Sequence, residues 1–120
     1  MRRIEKPWGH ELIWAETDRY VGKVLHVRAG CRLSLQYHQR KDESLLVQRG
    51  LLELELEGDD GVLRRLELGP GDAVRVPAGR RHRLGASVDT DIVEVSTPEL
   101  DDVVRLEDDY GRAPTSGGAA

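Results

Sequence analysis

From Leu52 to Glu57 the chain alternates leucine and glutamate without a break, a period of two that no helix can satisfy. Successive side chains leave a strand on opposite faces, so this stretch is expected to bury its leucines and expose Glu53, Glu55 and Glu57 to solvent. The Gly-Asp-Asp-Gly that follows signals a hairpin turn, and Val62 to Leu68 supplies the returning strand. The same period runs through Arg32 to His38, with Leu33, Leu35 and Tyr37 on one face and Ser34, Gln36 and His38 on the other. "HELIWAET" reads as a short strand with its apolar residues at Leu12 and Trp14, and "YVGKVLHVRAG" alternates more loosely before Gly30. "ESLLVQRG", "AVRVPAG", "HRLGA", "TDIVEVSTP" and "VVRLED" add further short strands punctuated by Gly, Pro and Asp. With no amphipathic helix in evidence, the pattern predicts an all-β sandwich or barrel.

Phenylalanine is absent and only two Trp and three Tyr occur, so the core must come from Val, Leu and Ile, which suits a sheet. At 120 residues one domain is expected, spanning 1–112, with the small, uncharged "APTSGGAA" of 113–120 as a disordered tail. The net charge of -4 gives no basic face for nucleic acid. The basic runs "RKDE" and "GRRHR" lie in or before the candidate site described next, where phosphate or carboxylate binding is conceivable, although solvated surface arginines are the plainer account. Cys31 is the single cysteine, which rules out an intrachain disulfide and a thiolate metal cluster and agrees with a reducing, cytoplasmic setting. No apolar run is long enough for a membrane span, and the N-terminus lacks the apolar core of a signal peptide.

Three potential metal donors, Gln36, His38 and Glu43, fall within eight residues. Gln36 and His38 leave the same face of their strand, Glu43 returns after a polar turn, and His82 can arrive from the facing part of a closed antiparallel fold. One amide oxygen, two imidazoles and one carboxylate suit a divalent ion of intermediate hardness: zinc, manganese, iron, cobalt or nickel. The plain alternative is that Gln36 is a surface amide, since four histidines in 120 residues is ordinary. His10 and His26 have no comparable neighbours, although His10 directly follows a Pro-Trp-Gly turn.

These residues resemble the cupin superfamily. Gly30, Gln36, His38, Glu43 and Gly50 meet the spacing of its first motif, with Gln36 where most cupins have a histidine, and Gly71, Pro77, Gly79 and His82 meet the second, which usually closes on an Asn where this chain has Ala86. "KPWGHELIW", "LSLQYH", "GDAVRVPAGRRHRL", "IVEVSTPEL" and "VVRLEDDYGR" are similar to the cupin domain of type II mannose-6-phosphate isomerases, which in bifunctional members follows a mannose-1-phosphate guanylyltransferase domain. The resemblance implies a double-stranded β-helix (a jelly-roll barrel), the ligand set Gln36, His38, Glu43 and His82, one divalent ion, and a homodimer. No Gly-rich nucleotide-binding loop is present, so the nucleotidyltransferase domain is not expected in this chain.

The departures from the family pattern are expected to cluster around the metal: Gln39 and Arg40 replace histidines, Lys41 an arginine, and Ser44 a histidine. The implied reaction interconverts mannose 6-phosphate and fructose 6-phosphate, with a divalent ion polarising the carbonyl while an enediolate forms. Lys41 is the first candidate for a substrate-facing cation, Arg112 a phosphate candidate, and Arg83 a weaker one because it points away from His82. No general base stands out among the catalytic candidates: Glu43 could serve only if it were not committed to the metal, His10 only with the N-terminal segment over the cavity mouth, and Lys41 only with a lowered pKa. The alternatives are another small-molecule activity in a stand-alone cupin and a non-catalytic module that binds a small polar ligand.

Overall fold

The structure is a computed structural model and describes residues 1–116. Thirteen strands follow one another: β1 (Arg2–Lys6), β2 (Gly9–Glu16), β3 (Val21–Val27), β4 (Cys31–Arg32), β5 (Leu35–Tyr37), β6 (Glu43–Arg49), β7 (Leu52–Glu57), β8 (Leu63–Leu68), β9 (Ala73–Val76), β10 (His82–Ala86), β11 (Thr90–Ser96), β12 (Val104–Glu107) and β13 (Thr115–Ser116). There is no helix among the described residues, and so none long and apolar enough to cross a membrane. One sheet runs β1-β2-β3-β11-β6-β9, the other β13-β12-β5-β10-β7-β8 with β4 also paired to β10. Every pairing is antiparallel. The all-β expectation holds. Of the tail expected at 113–120, Thr115–Ser116 pair with β12 and residues 117–120 lie outside the described residues.

Inward-facing residues change character along several strands in step. On β3, Val27 and Leu25 give way to Lys23; on β11, Ile92 gives way to Glu94; on β6, Val47 and Leu45 give way to Glu43; on β10, Ala86 and Leu84 give way to His82. All of these are buried. The registers set Ile92 between Leu25 and Val47 and Glu94 between Lys23 and Leu45, with Glu43 one inward position further along, opposite Ser96. One end of the barrel is therefore an apolar plug containing Trp8, Leu25, Val27, Leu52, Leu54 and Ile92, and the other a buried polar chamber. The plug supplies the burial that holds the sheets together, at roughly 25 cal/mol per Å² of apolar surface removed from water.

Two expectations change. On β2 it is Glu11 and Ile13 that face inward, whereas Trp14 is 49% exposed on the outer face, beside a register shift between Ile13 and Ala15. The glutamates of β7 are half-buried and not freely solvated, because arginines cover them: Arg65 pairs with Glu53 and Arg81 with Glu57.

The Pro-Trp-Gly signal has a steric basis. A Cβ on Gly9 would sit 1.8 Å from the carbonyl oxygen of His26, so only glycine lets β2 approach β3 here while Trp8 enters the core. Gly79 adopts φ +82° in the turn before β10 and its N–H donates to the His38 carbonyl at 2.7 Å, tying the turn that delivers His82 to the strand end that delivers His38.

Candidate metal centre

Gln36 on β5 and His82 on β10 are direct cross-strand partners, so both side chains leave the same inner face. His38 follows β5, and Glu43 opens β6. The loop between them is organised by Asp102, whose carboxylate accepts the backbone N–H groups of Gln39 (3.0 Å), Arg40 (2.7 Å) and Lys41 (2.9 Å). Burial works against the Asp102 carboxylate, but these N–H groups and the nearby His38 lower its pKa. A second clamp, between Asp42 and Thr97, fixes the step into Glu43.

Both imidazoles are held in the form a metal requires. The Nδ1 of His38 donates to the carbonyl of Asp102 at 2.5 Å, and that of His82 to the carbonyl of Arg80 at 2.9 Å. A carbonyl only accepts, so Nδ1 carries the proton and each Nε2 lone pair faces the chamber. From the Glu43 carboxylate oxygen, the His82 Nε2 is 3.2 Å away and the His38 Nε2 3.7 Å. Donors about 2.0–2.2 Å from a tetrahedral ion stand about 3.4 Å apart, which these spacings bracket. The His82 Nε2 and the Gln36 Oε1 are buried without a hydrogen-bond partner among the described residues, a costly state that a shared cation relieves. His38, Glu43 and His82 thus form a group that could hold a metal ion, and Gln36 lines the same chamber. The space between them suits an ion or a single water and does not admit a sugar.

Behind the donors lies a charged chain that the sequence reading did not identify. Lys41 Nζ stands 3.3 Å from Glu43 and 3.1 Å from Glu94; Lys23 Nζ stands 3.8 Å from Glu94 and 3.4 Å from Glu11. All five side chains are buried. Burial opposes the Lys41 ammonium, but the charges of Glu94 and Glu43 outweigh it and hold its pKa above the usual range. The lowered pKa that a lysine base needs is therefore not present, and Lys41 is a fixed cation. Burial would likewise raise the Glu43 carboxyl, yet the Lys41 charge beside it helps keep it well below the ordinary carboxylate range. Glu94 moves the other way, raised by burial and by the Glu43 charge.

The remaining candidates separate. His10 lies on the outer face of β2, stacked on His26 at 5.0 Å between ring centres, because Glu11 takes the inward position beside it. It does not reach the chamber. Arg83 points away from His82, donating to the Leu33 carbonyl at 2.9 Å and pairing with Asp109. Arg112 is clamped by Asp108 and lies over the Tyr110 ring. Of the four departures expected around the metal, only Lys41 faces the chamber; Gln39, Arg40 and Ser44 are exposed.

Comparison with known proteins agrees with this geometry. The family described as "Mannose-6-phosphate isomerase C-terminal" matches residues 1–108. A mannose-1-phosphate guanylyltransferase of Escherichia coli K12 is 34% identical over 116 residues, which is 92% of this chain and 23% of that protein. The chain spans about a quarter of the length of the curated relatives it matches. Among solved structures, KdgF from a Halomonas species superposes with a TM-score of 0.71 at 24% identity, covering 82% of this chain and 86% of its own. A cupin-superfamily sugar phosphate isomerase from Silicibacter pomeroyi superposes at 0.66 with 22% identity, covering 80% and 64%. At such identities the superpositions establish the fold alone. With its profile match, its two-sheet barrel and its inward donors together, the chain belongs to the mannose-6-phosphate isomerase C-terminal family and has the cupin fold.

Proposed function

We propose that this chain is a metal-dependent sugar-phosphate isomerase that interconverts mannose 6-phosphate and fructose 6-phosphate, with Gln36, His38, Glu43 and His82 holding one ion of zinc, manganese, cobalt, nickel or iron. The observation that carries the reading is a carboxylate outside the donor set, Glu94, buried beside donors whose imidazoles already face inward. When bound, the ion supplies Lewis-acid polarisation of the sugar carbonyl.

The chain's own residues do the rest. Aldose–ketose interconversion needs one group to take a proton from one carbon and return it to the next. Glu94 is the carboxylate placed for that work, since Glu43 is engaged by His38, His82 and Lys41. Lys41, 3.1 Å from Glu94, holds that carboxylate in position and offers a fixed cation to a sugar oxygen. Lys23 and Glu11 extend the network towards β2 and keep Glu94 from being the only charge at its level of the barrel. Because the chamber admits only an ion, the sugar must approach from the rim, with the side chains there parting to receive it.

A second reading is favoured by the name of the relatives, mannose-1-phosphate guanylyltransferase: the domain would hold a mannose phosphate without isomerising it. A coupled assay for fructose 6-phosphate from mannose 6-phosphate, on protein reconstituted separately with each ion, decides between them. Metal-dependent turnover lost in His82→Ala supports the isomerase; saturable binding of the sugar phosphate with no turnover in metal-loaded protein supports the second reading. The expected homodimer is assigned to the outer face of the six-stranded sheet, where Trp14, Leu46 and Val95 are exposed; a monomer by sedimentation at micromolar concentration would contradict it.

A further inference from the structure

Among the described residues, Arg105 is a buried cation without an ion-pair partner. It is 6% exposed on β12, its Nε has no hydrogen-bond partner among the described residues, and it enters no ion pair there. The contrast with its counterparts is sharp: Arg32, Arg64, Arg75, Arg83 and Arg112 each sit against a carboxylate. A surface arginine without a partner is solvated at no cost, but a buried one has lost its water and gained nothing in return.

The position of Arg105 explains what could satisfy it. Its direct cross-strand partner on β5 is Gln36, so its side chain leaves the same inner face as a proposed metal ligand, one strand further towards the sheet edge. Two more cations gather there. Burial depresses the Lys6 pKa, Glu11 partly offsets that, and the positive charges of Lys23, Arg105 and Arg112 depress it further. Burial likewise depresses the Arg105 pKa, and Arg112 adds to the effect. Asp108 pairs with Arg112 and its charge also reaches Arg105, and Glu11 offsets part of the charge on Lys6, but neither Lys6 nor Arg105 makes an ion pair among the described residues. A buried guanidinium with no carboxylate against it, and further positive charge acting on it, raises the local potential that attracts an anion.

We propose that Arg105, with Lys6 and Arg112 beside it, is an anion subsite at the rim of the metal chamber that takes the phosphate group of a phosphate monoester. The planar guanidinium donates to two phosphate oxygens at once while Lys6 contributes a point charge. This deepens the isomerase reading and rests on it for the identity of the ester, since a sugar phosphate seated here directs its carbonyl end towards Gln36 and the other donors. The sequence hides the residue because "VVRLED" places an arginine on a strand where a charged side chain is ordinarily read as outward.

The test is titration of the metal-loaded full chain with inorganic phosphate, followed by calorimetry against chloride at matched ionic strength. Wild-type protein is expected to bind one phosphate per chain, at least tenfold more weakly in Arg105→Met and several-fold more weakly in Lys6→Met. Arg49→Gln, which removes a charge from the outer face, is expected to bind as wild type. Arg105→Lys keeps the charge and loses the fork; it serves if the methionine variant does not fold, with several-fold weakening expected. Equal affinity in wild type and the Arg105 variants, or no saturable binding by the wild type, overturns the subsite. The His82→Ala variant separates the two ideas: phosphate binding that survives loss of the metal supports the subsite, whatever becomes of the isomerase activity.

Discussion

Asp102 receives three consecutive backbone N–H groups on its carboxylate and, on its carbonyl, the Nδ1 proton of His38. One residue thus sets both the loop that leads to Glu43 and the orientation of the first imidazole. Replacing Asp102 with Ala leaves three N–H groups to find water, at a cost of about 1–3 kcal/mol. It also frees the loop that carries two donors, and loosening the support of a metal ligand typically weakens affinity about 10–100-fold. Competition with a chromophoric chelator measures the second effect and urea unfolding the first.

Lys41 bridges Glu43 and Glu94 inside the barrel. Lys41→Met removes the bridge and leaves two buried carboxylates facing each other. Breaking a buried ion pair from one side costs about 3–5 kcal/mol, so the metal-free variant is expected to unfold at much lower denaturant. Bound metal, which compensates Glu43, is expected to restore part of the loss.

Glu94→Gln keeps the size of the side chain and removes its ability to accept a proton. Turnover is expected to fall by roughly 10²–10⁴, the usual contribution of a positioned acid–base group, with metal content unchanged. Loss of metal together with activity would place Glu94 among the structural supports.

The Asp108 side chain is covered, and its carboxylate is held below the ordinary value of 3.8, first by the hydrogen bond from the Arg112 side chain. A carboxylate whose folded pKa is depressed contributes stability that is complete above the unfolded pKa and is lost as pH falls through the folded value. The Asp108→Asn variant is therefore expected to lose less stability than the wild type as pH drops below 3.8. Urea midpoints measured between neutral pH and the acid limit test this.

The plug end of the barrel was legible in the sequence because its physics is simple. Leu52 and Leu54 alternate with glutamates, and both are fully buried. The donors were legible because Gln36, His38, Glu43 and His82 carry a recognisable spacing of turns and ligands. Glu11, Lys23, Glu94 and Arg105 were not, since a charged residue on a strand is normally taken to mark the wet face. Here they continue an inward row begun by apolar residues: Ile92 precedes Glu94 by two, and Leu25 and Val27 follow Lys23 at the same interval. That interruption of an apolar face was the available signal. Trp14 misled in the opposite sense, because a large apolar side chain on the outer face of β2 looks like a core residue until Glu11 and Ile13 are known to point inward.

Trp8 is completely buried in the apolar plug and is not among the residues lining the chamber of the metal donors. Trp8→Ala is expected to cost about 3–5 kcal/mol of stability, as large aromatic truncations in cores do. Metal stoichiometry in the variant at low temperature is expected to match the wild type, which would show that the plug supports the chamber without shaping its donors.

The most direct test of the metal centre is X-ray absorption spectroscopy on protein loaded with a single zinc equivalent, with metal content counted in parallel. The account predicts one ion per chain, a first shell of two imidazole nitrogens and light oxygen donors at about 2.0–2.2 Å, and loss of that shell in His82→Ala. A sulfur scatterer, a shell lacking imidazole, or an unchanged spectrum in the His82 variant would contradict it.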